Sequence, residues 1–450
     1  MNKPYLLNQY IKNYTVSEKW KLTAGNTENI SQVIVIPAYA ESGMLFSTLA
    51  SLARNSSSSL DYSLVLCVIN NKINSPADVK VNNHQTMEYL DALVNKKSAK
   101  QLPGNKNLKE ALQFIADARL KLGYIDASSE GLEIPDNEGG VGMARKIGMD
   151  TALRLLSPSA SHPKLILSLD ADTLVPDNYL TAIHDCFQGK INAAVVAYEH
   201  QEPENDEEKA AIYCYEIFLR YWILGLKYAK SPYAFHSIGS TMICSADAYL
   251  SVRGMNRREA GEDFYFLNKL AKITKIKYIQ NTCVYPSARA SQRVPFGTGK
   301  RIHRFLDGSR NEYVLYNPQI FEILARWLKL MEMSLHYNEE NILREAGRIS
   351  PALVSFLINS RFEESWRKIR NNAKNDHTLI NQFHCWFDGF RTLKLINYLS
   401  RESYPQKYMF DALENLLKMQ KLSVPEFLRS GSQPDLARQK NILQYLRGIT

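Results

Sequence analysis

Leu165-Ile166-Leu167-Ser168-Leu169-Asp170-Ala171-Asp172-Thr173 is a short apolar run that ends abruptly in two carboxylates. Its apolar part has strand length, and the lack of polar alternation predicts a strand covered on both faces, as in a mostly parallel sheet flanked by helices. In open α/β sheets the ligand crevice lies beyond the carboxyl ends of the strands, so Asp170 and Asp172 are expected at its mouth. Two carboxylates one residue apart can share a hard cation whose open positions phosphate oxygens would fill. Asp is also common in strand-end turns, and the stretch alone leaves that plainer reading open.

Toward the amino end, Gly139-Gly140-Val141-Gly142-Met143-Ala144-Arg145-Lys146 opens a helix with apolar positions at Ile147, Ala152, Leu153 and Leu156. Glycines before a helix let backbone approach a ligand, and a helix start with two cations favours an anion. A flexible loop has the same composition. Residues 122–125 read as a strand and 108–118 as a helix, while the polar stretch 72–106 reads as an insertion with one helix near 85–94. The strand at 64–69 ends in Asn70-Asn71, a pair able to hydrogen-bond a base or ribose, or simply to close a turn. Val33-Ile34-Val35-Ile36 is a buried strand that Pro37 is expected to end, because proline cannot donate to a ladder. Residues 1–30 form a polar lead-in.

Toward the carboxyl end, Pro176-Asp177 starts a helix through 187, and 191–198 is a strand. An acidic loop then leads into a long helix at about 207–230, whose aromatics Tyr213, Tyr215, Phe218, Tyr221 and Trp222 suit a core or a groove wall. Ile238-Gly239-Ser240-Thr241 is a small-residue loop entering another strand. Gly261-Glu262-Asp263 stands directly before Phe264, Leu267 and Leu270 at helical spacing, where carboxylates suit the helix dipole whatever their function. The basic, glycine-containing stretch 289–303 reads as a loop, able to fold over phosphates or to act as a plain linker. Beyond about residue 311 only helical spacing remains, as in Ile320, Ile323, Leu324, Trp327, Leu328 and Met331.

A chain of 450 residues predicts two domains. Hydrophobic residues at 45% and charged residues at 22% are ordinary for a folded protein. A net charge of +9 favours anionic partners, yet no nucleic-acid-binding signature is present and none is expected as a partner. The six cysteines are scattered without a C-x-x-C pair, which predicts buried thiols in a reducing compartment. Residues 1–21 lack the apolar core of a signal peptide, and the apolar stretch 212–229 is interrupted by Glu216, Arg220 and Lys227. A cytoplasmic protein is expected, with peripheral contact at the inner membrane surface left open.

Taken together, residues 33–41, 140–150, Asp170-Ala171-Asp172 and Gly261-Glu262-Asp263, in this order and at these separations, resemble family 2 glycosyltransferases of the GT-A fold over roughly residues 30–305. The resemblance implies a Rossmann-like nucleotide-binding half (31–175), an acceptor half (176–305) and then an all-helical domain (306–450). It implies a UDP- or GDP-sugar donor, a divalent cation (magnesium or manganese) and an acceptor hydroxyl on a glycan, a lipid-linked sugar or a small molecule. By the same resemblance Pro37, Ala38, Tyr39 and Glu41 lie against the base and ribose, with Gly239 also at the donor. Asn70 stands where such enzymes often carry an aspartate. Arg145 lies near the donor phosphates, with Arg289, Arg293 and Lys300 as further cations. Asp170 and Asp172 form the metal-and-donor motif, Asp172 being the direct ligand, with His303 as a completing ligand. Asp263 matches the catalytic base, with Glu262 beside it. Polymerising members carry Gln-x-x-Arg-Trp and membrane spans. Arg326-Trp327 lacks the glutamine and no apolar stretch is long enough to span, so a non-processive transfer is expected, and in-line attack by the acceptor would make it inverting. A sugar-phosphate nucleotidyltransferase and a catalytically silent nucleotide-sugar-binding scaffold remain the competing readings.

Overall fold

A computed structural model describes residues 3–96, 103–159, 161–291, 297–428 and 434–450. These cluster into two compact units, one holding Met1–Gln201 with Ser237–Ser287, the other Glu202–His236 with Gly297–Thr450.

The first unit is built on an eight-stranded mixed sheet flanked by helices. Its strands are β1 (Leu22–Ala24), β2 (Gln32–Ala38), β3 (Ser63–Asn70), β4 (Lys121–Ala127), β5 (Leu165–Ser168), β6 (Ala193–Tyr198), β7 (Met242–Ser245) and β8 (Lys277–Val284), in the order β1-β4-β3-β2-β5-β7-β6-β8. The run β4-β3-β2-β5 is parallel, as is the β6-β8 pair, while β7 runs antiparallel to both of its neighbours and β1 to β4. Every residue of β2, β3 and β5 is buried. This explains their unbroken apolar runs: a strand covered on both faces has no solvent side to mark with polar residues.

Contrary to expectation, β2 does not stop before Pro37 but continues to Ala38, with Pro37 opposite Val68 of β3. Val35 turns its carbonyl toward β5, where it accepts from the Leu169 amide at 3.1 Å. Alternation puts the Pro37 nitrogen on that same side, and β5 pairs with β2 only as far as Val35. The missing donor therefore falls beyond the partner strand and no ladder bond is lost.

Nor is the polar stretch after β3 an insertion. It holds the helix Ala77–Val94, much longer than expected, which with Lys106–Asp117 forms the crossover from β3 to β4. Its Asn83 donates to the Asn70 carbonyl at 3.0 Å and to Asn71 Oδ1 at 2.9 Å. These polar residues face the sheet because strand-end backbone groups need partners. The lead-in is likewise structured: the helix Lys3–Tyr14 buries Tyr10, whose hydroxyl donates to Asp150 at 2.7 Å, and β1 pairs with β4.

Among the described residues the second unit is helical apart from one two-stranded pair, Val314–Leu315 with Lys407–Tyr408. The long helix Asp206–Tyr228 belongs here, whereas the expected boundary near residue 305 would place it with the sheet. The cause is its apolar face: Tyr213, Ile217, Tyr221 and Leu224 enter one core with Trp327, Phe321, Phe362, Trp366 and Leu413. The basic stretch expected as a loop becomes a helix from Thr298 to Leu306, started by Gly297 at φ +107°. Buried Glu312 draws in two of its cations, Arg301 at 2.9 Å and Arg304 at 2.6 Å. Among the described residues no helix is long and apolar enough to cross a membrane.

Candidate active site

At the carboxyl end of β5 the two carboxylates take different roles. Asp170 has both oxygens engaged: Oδ1 accepts from Arg145 Nη2, and Oδ2 accepts from the Ser240 hydroxyl at 2.6 Å. Ser240 in turn lies 3.0 Å from the Thr173 hydroxyl, which is left as the donor in that pair. The main chain of the motif is pinned on two sides. Thr48 donates to the Ala171 carbonyl at 2.9 Å, and Gln201 Nε2 donates to the Asp172 carbonyl at 2.9 Å and the Tyr285 carbonyl at 2.7 Å. The Asp172 side chain is half-buried.

Arg145 links this motif to the second acidic one. It sits in the second turn of the helix Val141–Leu155 and is only 2% exposed. Nε donates to Ser168 Oγ at 2.9 Å, Nη2 to Asp170 and Nη1 to Glu262. Burial works against the guanidinium charge, but Asp170, Glu262 and Asp263 outweigh it and hold the proton more firmly than usual. The expected place beside the donor phosphates therefore becomes that of a buried clamp joining two carboxylates, all three kinds of side-chain nitrogen being taken by protein. Gly239 makes room for this clamp: a Cβ there would lie 2.1 Å from Nη2.

Glu262 and Asp263 open the helix Glu262–Ala271, capped by Gly261 at φ +70°. Burial pushes the Glu262 carboxyl up to about 7, with Arg145 pulling down and Asp263 pushing up. Asp263, half-buried with Oδ1 accepting from the Phe264 amide at 2.7 Å, is also raised by burial, against the pull of Arg145. Asp263 and Asp170 both push the Glu262 carboxyl up, a crowding of acidic groups that a cation would relieve.

The glycines at 140 and 142 serve chain packing, not a ligand. Gly140 has φ +99° and starts the helix, and a Cβ there would fall 2.6 Å from Glu259 Cα. At Gly142 a Cβ would fall 2.3 Å from the Arg258 carbonyl oxygen, while the Gly142 amide donates to that same oxygen at 3.2 Å. The loop that precedes the Glu262-Asp263 pair is thus seated on this helix start, helped by an ion pair of Lys72 with Glu259 at 2.6 Å. Gly142→Ala is expected to cost about 1–3 kcal/mol through this overpacking, read as a lowered denaturation midpoint in urea. Lys146 is not offered to a ligand either; it is buried in an ion pair with Asp150 at 3.0 Å.

At the end of β2, Ala40 adopts φ +53°, and its amide donates to Asn83 Oδ1 at 2.9 Å. The Ser42 amide donates to Asn82 Oδ1 at 3.1 Å. Tyr39 is half-buried and Glu41 buried, the latter accepting the first amides of the next helix through its carbonyl. Asn70 gives both amide protons to backbone, the Ala38 carbonyl at 3.0 Å and the Val68 carbonyl at 3.1 Å. It braces the ends of β2 and β3, and those protons are not turned toward a base.

Among the described residues no group of three or more His, Cys, Asp or Glu side chains is placed to hold a metal ion. His303 lies in the second unit on the helix Thr298–Leu306, with Nε2 3.5 Å from Asp307. Arg289 and Lys300 also belong to that unit, and Arg293 falls outside the described residues. The residues that sequence patterns missed are Ser168, Ser240, Thr173, Asn82, Asn83 and Gln201. Of these, Ser168 was visible as the one hydroxyl in an apolar strand and Asn82-Asn83 as a doublet, but neither pattern reveals a partner.

No protein-family profile matches the chain, and no curated protein matches it in sequence. Among solved structures, the mannosyltransferase PcManGT of Pyrobaculum calidifontis, in complex with GDP-Man and Mn2+, aligns over 88% of this chain and 90% of its own, at 12% identity and a TM-score of 0.36. S. aureus TarS 1-349 in complex with UDP-GlcNAc aligns over 80% of this chain and 92% of its own, at 13% identity and a TM-score of 0.36. Similarity at this level settles neither family nor activity.

Proposed function

We propose that this chain is a glycosyltransferase of the family 2 type, moving a sugar from a nucleoside diphosphate sugar to an acceptor hydroxyl. The observation that carries this reading is the Arg145 bridge, which draws a β5-end carboxylate and a helix-start carboxylate from distant parts of the sequence to one guanidinium. Such a pairing of acidic motifs suits a reaction with a cation-bound diphosphate on one side and an acceptor proton on the other.

By the family resemblance Asp172 is the residue that would hold a divalent cation, while Asp170 is tied to Arg145 and Ser240. Magnesium and manganese keep water and phosphate oxygens in their shells, so a single protein carboxylate with a diphosphate fits their habits. The bound cation would offset charge on the departing diphosphate. Arg145 fixes Asp170 and Glu262, and thereby the spacing of the two motifs. Asp263 takes the proton of the acceptor hydroxyl as its oxygen forms the new bond to the anomeric carbon. The old carbon–oxygen bond breaks at the same centre, its electron pair leaving with the diphosphate. In-line attack of this kind inverts the configuration.

The reading is tested by incubating the chain with a panel of UDP- and GDP-sugars and manganese. Release of free nucleoside diphosphate supports it, whereas release of pyrophosphate would indicate nucleotidyl transfer and overturn it. Asp172→Ala is expected to weaken donor binding in manganese at least about tenfold, equal to about 1.4 kcal/mol. Calorimetry with manganese and with a chelator checks this, because the variant should bind donor equally under both conditions.

A further inference from the structure

We propose that His162 and His184, together with the carboxamide of Gln188, form a binding site for a borderline transition-metal ion of the zinc kind, separate from the acidic site. The two imidazoles belong to the same unit but lie at the other end of β5. His162 precedes the strand, whereas Asp170 follows it, so about eight extended residues, roughly 25 Å, separate the two places. His184 stands in the last turn of the helix Tyr179–Phe187, and Gln188 follows directly.

His162 Nδ1 and His184 Nε2 approach to 3.0 Å. Two imidazole nitrogens on one tetrahedral zinc, each about 2.0–2.1 Å from it, lie about 3.3 Å apart, so a shift of a few tenths of an ångström admits the ion. An acidic neighbour favours one tautomer of His184. His184 Nδ1 faces the Asp185 carboxylate at 3.5 Å, and a proton kept on that side leaves the Nε2 lone pair toward His162. The ring of Tyr62 stacks on His162 at 4.2 Å and 25°, holding its plane.

Gln188 Nε2 lies 2.8 Å from His184 Nε2 and 3.4 Å from its Nδ1, so the carboxamide rests against the same imidazole. With its carboxamide turned, Gln188 offers an oxygen as third ligand, and water completes four-coordination. The His184 side chain is 18% exposed and Gln188 is exposed, so an ion can enter. Imidazole ligands select zinc, nickel or copper over magnesium and manganese, which prefer the all-oxygen donors of the acidic site. The ion would tie the turn before β5 to the helix Tyr179–Phe187.

The test is calorimetric titration of the chelator-treated full chain with Zn2+ alone, beside a thermal melt with and without the ion. One equivalent bound, with a raised melting temperature, is expected. His162→Phe, which keeps the stacking on Tyr62, and His184→Gln should each weaken binding by more than 100-fold, and Asp185→Asn by about 10- to 100-fold, as for a group that orients a ligand. Asp172→Ala should leave the equivalent intact. Melting of each variant without metal, matching the parent, establishes that it is folded. Absence of a stoichiometric equivalent, or binding that survives both histidine substitutions in folded protein, would overturn the proposal.

Discussion

Asp263→Asn is expected to lower the rate of sugar transfer by about 10²- to 10⁴-fold, the usual contribution of a positioned general base, while donor affinity in manganese stays within about threefold. Asparagine keeps the size and the accepting oxygen that meets the Phe264 amide, so the helix start Glu262–Ala271 should persist. What it loses is the ability to take a proton. The donor side is spared because Asp263 makes none of the bonds that hold Asp170, which rest on Arg145 and Ser240. Glu262→Gln gives the contrast. Glu262 accepts from Arg145, so its loss should loosen the clamp and lower stability along with activity. Nucleoside diphosphate release and donor titration, run on both variants, separate the two roles. Unchanged turnover in Asp263→Asn would remove it from the chemistry.

The sheet was legible wherever a strand is buried on both faces. Val33 to Ile36, 64–69 and 165–169 are apolar without alternation because neither face meets water, and that is a local property a sequence can show. The acidic motifs were legible for a related reason: carboxylates at the end of an apolar run are conspicuous. Their connection was not. Arg145 reads from the sequence as a cation at a helix start awaiting an anion, and only the fold reveals that the anions are Asp170 and Glu262. Polar residues misled where they satisfy backbone groups instead of solvent. Asn82 and Asn83 make a stretch look like a surface insertion, yet they hold the β2 loop through the Ala40 and Ser42 amides. The same holds for Gly142, whose partner is a carbonyl distant in sequence.

Glu216 carries the second large effect, on stability. In the sequence it does no more than break an apolar segment, but in the helical unit it is fully buried and binds two guanidinium groups. Oε1 accepts from Arg220 Nε at 3.0 Å, from Arg220 Nη2 at 2.8 Å and from Arg447 Nε at 2.8 Å, while Oε2 accepts from Arg447 Nη2 at 3.1 Å. Arg220 Nη1 donates onward to the Thr450 hydroxyl at 2.9 Å, so the carboxylate fastens the helix Leu436–Ile449 to Asp206–Tyr228. Glu216→Gln removes the negative charge that both guanidinium groups share, at a place where Arg220 is only 1% exposed. A loss of about 3–5 kcal/mol is expected, a large share of the roughly 5–15 kcal/mol typical of a folded protein. The cost should come from the loss of that shared charge and not from the lost bonds alone. Replacing Glu216 and Arg220 together by methionine should therefore cost less than Glu216→Gln, since Arg447, with 21% of its side chain exposed, can turn to water. Urea denaturation of the parent and both variants decides it. If the double replacement proved the more damaging, the triad would owe its value to geometry that apolar packing cannot replace.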